Sequence, residues 1–199
     1  MASMEEIRNT RLVKLHALLG AGVNPYPIKS RFDCDLKSLT TNFDKFSKKK
    51  SITIVGRILS LRPQGGLVFM TLNDGTGKFQ ALVKSDEIPA DDFALFENIV
   101  DIGDFVELSG SLFITKRNEK TLQIATWKML AKSLRPLPEK WHGLQDVEER
   151  FRHRYLDTLM SPEVKDRFVL RSKLVQEIRQ FYNEAGYIEV ETPRLQTLA

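Results

Sequence analysis

Between Ser51 and Leu130 the side chains alternate. Ile52-Thr53-Ile54-Val55-Gly56-Arg57-Ile58-Leu59 is rich in β-branched residues. Further on, Val68, Met70 and Leu72 alternate with Phe69, Thr71 and Asn73. Phe79, Ala81 and Val83 then alternate with Lys78, Gln80 and Lys84. A period of two lets a chain bury one face of a sheet and leave the other to solvent or a ligand. Pro63-Gln64-Gly65-Gly66 and Asn73-Asp74-Gly75-Thr76-Gly77 read as the turns between these three strands. The period breaks over Ala90 to Val100, where Phe93, Leu95, Phe96 and Ile99 take helical spacing behind an acidic start. Two more strands, Phe105 to Thr115 and Thr121 to Leu130, follow around the charged turn Lys116 to Lys120.

Three strands, a short helix and two strands predict a small five-stranded Greek-key barrel of the OB type, with the helix between strands three and four. A β-sandwich is the alternative, for which five strands and one helix are few. The flanks are helical. Residues 3 to 20 open with Ser3-Met4-Glu5-Glu6, a capping box. There Leu12, Leu15 and Leu19 form an apolar stripe, and Gly20, Gly22 and Asn24-Pro25-Tyr26-Pro27 end the helix. Arg8, Arg11 and Lys14 run beside that stripe, as solvated surface charge or, alternatively, as a contact for nucleic-acid backbone. Residues 31 to 50 read as a polar connector ending in Lys48-Lys49-Lys50. After the barrel comes the proline-stiffened stretch Leu134 to Glu139, then a helical, mixed-charge segment from Asp146 to Leu159. Ser161-Pro162-Glu163 starts a longer helix with Val164, Phe168, Val175, Ile178 and Tyr182 along one side and Gly186 as its stop. Tyr187-Ile188-Glu189-Val190-Glu191 then alternates like the beginning of a strand. The expected domains are 1–50, a helix and connector; 51–133, the barrel; 134–160, a linker; and 161–199, the start of a further domain.

Composition narrows the function. A net charge of +4 with 28% charged residues permits a polyanionic partner without requiring one. A single cysteine, Cys34, allows no internal disulfide, and His16, His142 and His153 are too scattered for a zinc site, so no metal ligands are expected. No apolar run approaches the roughly 18 residues of a membrane span. The N-terminus has no secretory pattern, and the expected address is cytoplasmic. Gly75-Thr76-Gly77-Lys78 imitates the tail of a phosphate-binding loop, but a strand follows it, so it reads as a hairpin turn. Arg150, Arg152, Arg154 and Asp157 read as structural ion pairs, and no catalytic residue is expected.

The barrel's outer face offers the chemistry. If Val68, Met70 and Leu72 point inward, Phe69 points outward, and Gln80 and Lys78 share its side of the hairpin. A phenyl ring stacks on an unpaired base, an amide reads a base edge, and a cation such as Arg62 neutralises phosphate. The competing reading packs Phe69 beneath the N-terminal helix or a loop.

Leu134-Arg135-Pro136-Leu137-Pro138-Glu139-Lys140-Trp141-His142-Gly143-Leu144, followed by Arg150-Phe151-Arg152-His153-Arg154-Tyr155-Leu156-Asp157, strongly resembles the stretch after the barrel in class II lysyl-tRNA synthetases. Gly186 to Pro193 resembles motif 1 of that class, a long helix and strand ending in proline. The resemblance covers nearly the whole chain, and the Pro-Leu-Pro stretch favours lysyl over aspartyl and asparaginyl relatives. It implies a mainly β chain with helices: an N-terminal helix, an OB barrel, a helical linker and the motif 1 part of an α+β catalytic domain. It implies that the barrel binds the anticodon of tRNA for lysine, with Phe69 as stacking aromatic, Gln80 and Glu119 as base readers and Arg62 as the basic residue. The turn Asn118-Glu119-Lys120 departs from the family's Gly-Glu pattern. It further implies a homodimer through motif 1, including Gly186 and Pro193. ATP and magnesium serve the parent enzyme's lysine–tRNA ligation through motifs 2 and 3, which this sequence does not reach. The chain alone is therefore expected to bind tRNA without aminoacylating it. A free-standing RNA-binding or regulatory module derived from a synthetase is the alternative.

Overall fold

The structure, a computed structural model, describes residues 3–138 and 143–192. It divides into two compact units, Met1–Leu137 and Pro138–Ala199.

In the first unit, five strands close into a barrel in the order β1-β2-β3-β5-β4. They are β1 (Ile52–Gln64), β2 (Leu67–Asn73), β3 (Lys78–Lys84), β4 (Phe105–Ile114) and β5 (Lys120–Ala131). The alternation determines the core: Ile54, Ile58, Met70, Leu72, Ala81, Val83, Leu108 and Ile124 are fully buried. β1 closes the barrel because it is long enough to serve two neighbours. Its first half, Ile52 to Arg57, pairs with β4, and its second half, Arg57 to Gln64, pairs with β2. A register shift between Ile58 and Ser60 bends it between those partners. The first turn is tighter than the sequence suggests. Pro63 and Gln64 continue β1 opposite Val68 and Leu67, leaving Gly65-Gly66 to turn the chain, with Gly65 at φ +61°. β3 and β5 pair in parallel, which sets the first residues of β5 beside the middle of β3.

Helix α4 (Ala90–Ile99) lies between β3 and β4 in sequence and packs Phe96 edge-on to Trp127 at 5.2 Å. Two expectations for the N-terminal flank are corrected. Residues 31–50 are not only a connector: α2 (Leu36–Thr41) and α3 (Phe43–Phe46) place Leu36, Leu39 and Phe43 in the barrel's core cluster. The Asp74 carboxylate ties the β2–β3 turn to this pair of helices, accepting from the Leu36 amide at 2.7 Å and from the Thr76 and Gly77 amides. The glycine-rich turn is thus a hairpin whose amides are already satisfied from within. Burial pushes the Asp74 carboxyl upward, but these hydrogen bonds outweigh it and hold it below the usual carboxylate range.

Helix α1 (Met4–Gly20) has its capping box, but its inward face is turned from the expected leucine stripe, of which Leu12 and Leu15 are half-buried. Leu18 and Arg11 are buried, while Leu19 is exposed. Arg11 donates to the Ile102, Ser133 and Arg135 carbonyls at 2.9–3.0 Å, and Lys14 bonds Asp101 at 2.6 Å. Arg11 is therefore neither solvated nor free for a nucleic-acid backbone, recruited by carbonyls left bare in the loops before β4 and after β5; Lys14 is half-buried against a carboxylate, and Arg8 is exposed, as surface charge. Lys132, whose side chain is fully buried, bonds Asp101 at 2.5 Å and Asp104 at 2.7 Å.

The second unit holds α5 (Val147–Arg152), α6 (Arg154–Met160) and α7 (Pro162–Glu184). Asp157 is buried between Arg150 at 3.0 Å and Arg154 at 2.6 Å, the structural ion pairs that the sequence suggests. Val164 is buried, whereas Phe168, Val175, Ile178 and Tyr182 of α7 are exposed. Gly186 takes φ +85° and ends the helix region, as expected. Tyr187 to Glu191 does not form a strand, because no neighbouring strand among the described residues offers it a ladder. Pro193 and His142 lie outside the described residues.

Candidate nucleic-acid interface

The outer face of the β1–β2–β3 sheet is positioned by the inward one. With Val68 and Met70 buried, Phe69 between them must face out, and it is half-buried. Gln80 faces out between Phe79 and Ala81 in the same way. Register brings these positions together: Arg62 lies opposite Phe69, Thr71 opposite Gln80, and Gln80 opposite Thr121 across the parallel pair.

Arg62, Phe69, Gln80 and Glu119 all line one cavity of about 460 Å³. Of the competing expectation, Phe69 packed beneath the N-terminal helix or a loop, a trace remains: the half-buried ring lines this cavity together with residues of the β4–β5 turn. Leu67, Leu82 and Phe113 supply further apolar wall, and Lys116 and Arg117 add positive charge from the β4–β5 turn. Lys78, grouped with Gln80 by alternation, is exposed but does not line this cavity. Alternation places Phe113 and Leu82 on this face as well; what it does not signal is that Leu82, between buried Ala81 and Val83, is itself buried.

The β4–β5 turn is self-braced. The Thr115 amide donates to the Glu119 carbonyl at 3.0 Å, and the Glu119 amide to the Thr115 hydroxyl at 3.1 Å. Asn118 takes φ +61°, the left-handed conformation a glycine would adopt freely and asparagine tolerates better than most residues. This explains how the turn keeps its shape despite its departure from the Gly-Glu pattern. Glu119 itself is exposed and lines the cavity.

An outward-facing aromatic beside an amide, flanked by cations, can hold an unpaired base and its phosphate. Among the described residues no group of three or more His, Cys, Asp or Glu side chains is placed to hold a metal ion. No described helix is long and apolar enough to cross a membrane.

Comparison with known proteins fits this architecture. Residues 52–130 match the OB-fold nucleic acid binding domain family, and residues 146–199 match the family of class II tRNA synthetases (D, K and N). The chain is 41% identical to lysine–tRNA ligase 2 of Methanosarcina mazei over 96% of its own length and 38% of that protein's. It is 41% identical to the lysine–tRNA ligase of Carboxydothermus hydrogenoformans over 98% of its length, covering 40% of the relative. With that of Aquifex aeolicus it shares 43% identity over 89% of its length, covering 28% of the relative. The chain thus spans well under half the length of these relatives. The chain thus carries an OB-fold nucleic acid binding domain and the start of a class II tRNA synthetase (D, K and N) domain, and over nearly all its length it is similar to part of lysine–tRNA ligases.

Proposed function

We propose that this chain binds the anticodon loop of tRNA for lysine through its barrel, as part of an ATP-dependent lysine–tRNA ligase of protein synthesis. The observation that carries this reading is the cavity that gathers Arg62, Phe69, Gln80 and Glu119 from three separate stretches of sequence. Phe69 stacks on a base, Gln80 and Glu119 read base edges, and Arg62 with Lys116 and Arg117 neutralises phosphate. ATP and magnesium belong to the parent's motifs 2 and 3. On this reading the isolated chain binds tRNA without activating lysine.

The exposed apolar residues of α7 support a second role, homodimerisation through the motif 1 segment that contains Gly186 and Pro193. Titration of labelled lysine tRNA, with an altered anticodon as control, tests the main reading. Tight, anticodon-dependent binding supports it, and equal binding of both RNAs overturns it. Lysine-dependent ATP–pyrophosphate exchange by this chain would overturn the statement that it binds without catalysis.

A further inference from the structure

Gln80 can face a base in either of two senses, carbonyl forward or amino forward, and the two read opposite base edges. Thr121 decides between them. Its hydroxyl donates to the Glu119 carbonyl at 3.1 Å. A hydroxyl has one proton, so toward Gln80, 2.9 Å away, the same oxygen can only accept. In the structure Gln80 accordingly turns Nε2 to Thr121. Its Oε1 has no partner in the protein, and no buried side-chain polar atom among the described residues is left without one, so Oε1 is open to solvent. Thr121 is itself fully buried, held between β3 and β4 by register with Gln80 and Phe113. It is not free to rotate with the ligand.

We infer that Thr121 is a positioning residue: it locks the Gln80 amide with its carbonyl oxygen outward, so the cavity accepts a hydrogen bond from the base. This inference rests on the RNA-binding reading and deepens it. At the middle of the Watson–Crick edge, uracil carries N3–H and guanine N1–H, both donors. Cytosine N3 and adenine N1 are acceptors and would leave two lone pairs opposed there, their amino donors lying to one side of that edge. With Oε1 set against the middle of the edge, the site selects bases with an imino proton, and the selection depends on Thr121 acting through Gln80. The Thr121 hydroxyl also ties the Glu119 main chain to Gln80, so the two proposed readers are set as one unit.

The test uses the full chain and a short RNA hairpin whose loop carries uridine, 3-methyluridine or cytidine at each anticodon-type position in turn. At the position facing Gln80, the wild type is expected to prefer uridine over both others by on the order of 10- to 100-fold. Thr121→Val keeps the shape but removes the hydroxyl. The Glu119 carbonyl stays paired to the Thr115 amide, and the uridine-to-cytidine ratio should fall toward one while cytidine binding is retained. Thr121→Ser should restore the ratio. A wild-type ratio in a folded Thr121→Val overturns the inference, as does wild-type binding that is indifferent to 3-methylation at every position. Should Thr121→Val not fold, Thr121→Ala, which also lacks the hydroxyl, takes its place with the same expected and overturning outcomes. Failure of the wild type to bind any hairpin overturns the RNA-binding reading itself.

Discussion

Phe69 and Lys132 show how differently single residues act here. Phe69 contributes little to the barrel, since its ring stands on the outer face. Phe69→Ala should leave the melting temperature nearly unchanged and weaken RNA binding by about 1–3 kcal/mol, read by fluorescence titration. Arg62, exposed at the end of β1, should act on charge alone. Arg62→Ala is expected to lower affinity for all loop sequences alike and to reduce the slope of log K against log salt by about one. Lys132 is the reverse case, invisible to a ligand and central to the fold. Lys132→Met would leave Asp104, also fully buried, without its cation. The expected loss is about 3–5 kcal/mol in denaturant unfolding, with RNA affinity of the remaining folded protein unchanged.

Among the elements, β4 and the β2–β3 turn are each held at one residue, Gly110 and Asp74. At Gly110 the register of β4 against β5 shifts, and an added Cβ would lie 1.8 Å from the Gln123 carbonyl oxygen. Gly110→Ala therefore has to break the β4–β5 ladder or move it. It should cost about 1–3 kcal/mol or more, seen as a lowered melting temperature. The Asp74 turn has a pH signature. Its carboxyl is held below its ordinary value in the folded chain, so its stabilisation is fully present above the unfolded value of about 4 and is lost as pH falls through the folded one. Comparing wild type with Asp74→Asn isolates this contribution. The stability gap between them should be largest near neutrality and shrink on acidification; a gap independent of pH would contradict it.

At the scale of the whole chain, the two units differ in how complete they are. The barrel, α1, α2 and α3 share one buried cluster, so residues 1–137 should fold alone and bind RNA as the full chain does. The second unit leaves Phe168, Val175, Ile178, Phe181 and Tyr182 exposed, more apolar surface on one helix than a stable monomer usually shows. Sedimentation across a dilution series should find self-association that disappears when residues 138–199 are removed.

Alternation alone settled much of this protein. A period of two is a local property, so the five strands, the inward set and the outward Phe69 and Gln80 were all legible in order along the chain. Gly186 as a stop and Asp157 as an ion-pair partner were legible for the same reason, each depending on near neighbours. What the tertiary structure decided is who meets whom. Barrel closure sets Thr121 against Gln80 from 41 residues away and brings the β4–β5 turn to the β2–β3 face. It also buries Arg11 against carbonyls 91 to 124 residues distant, which no stripe on α1 could announce. Helices α2 and α3, read as a connector, became helices because the open end of a barrel offers apolar surface to cover. Pairing over such separations depends on loop closure and on satisfying buried polar groups, and neither leaves a periodic trace in the residues themselves.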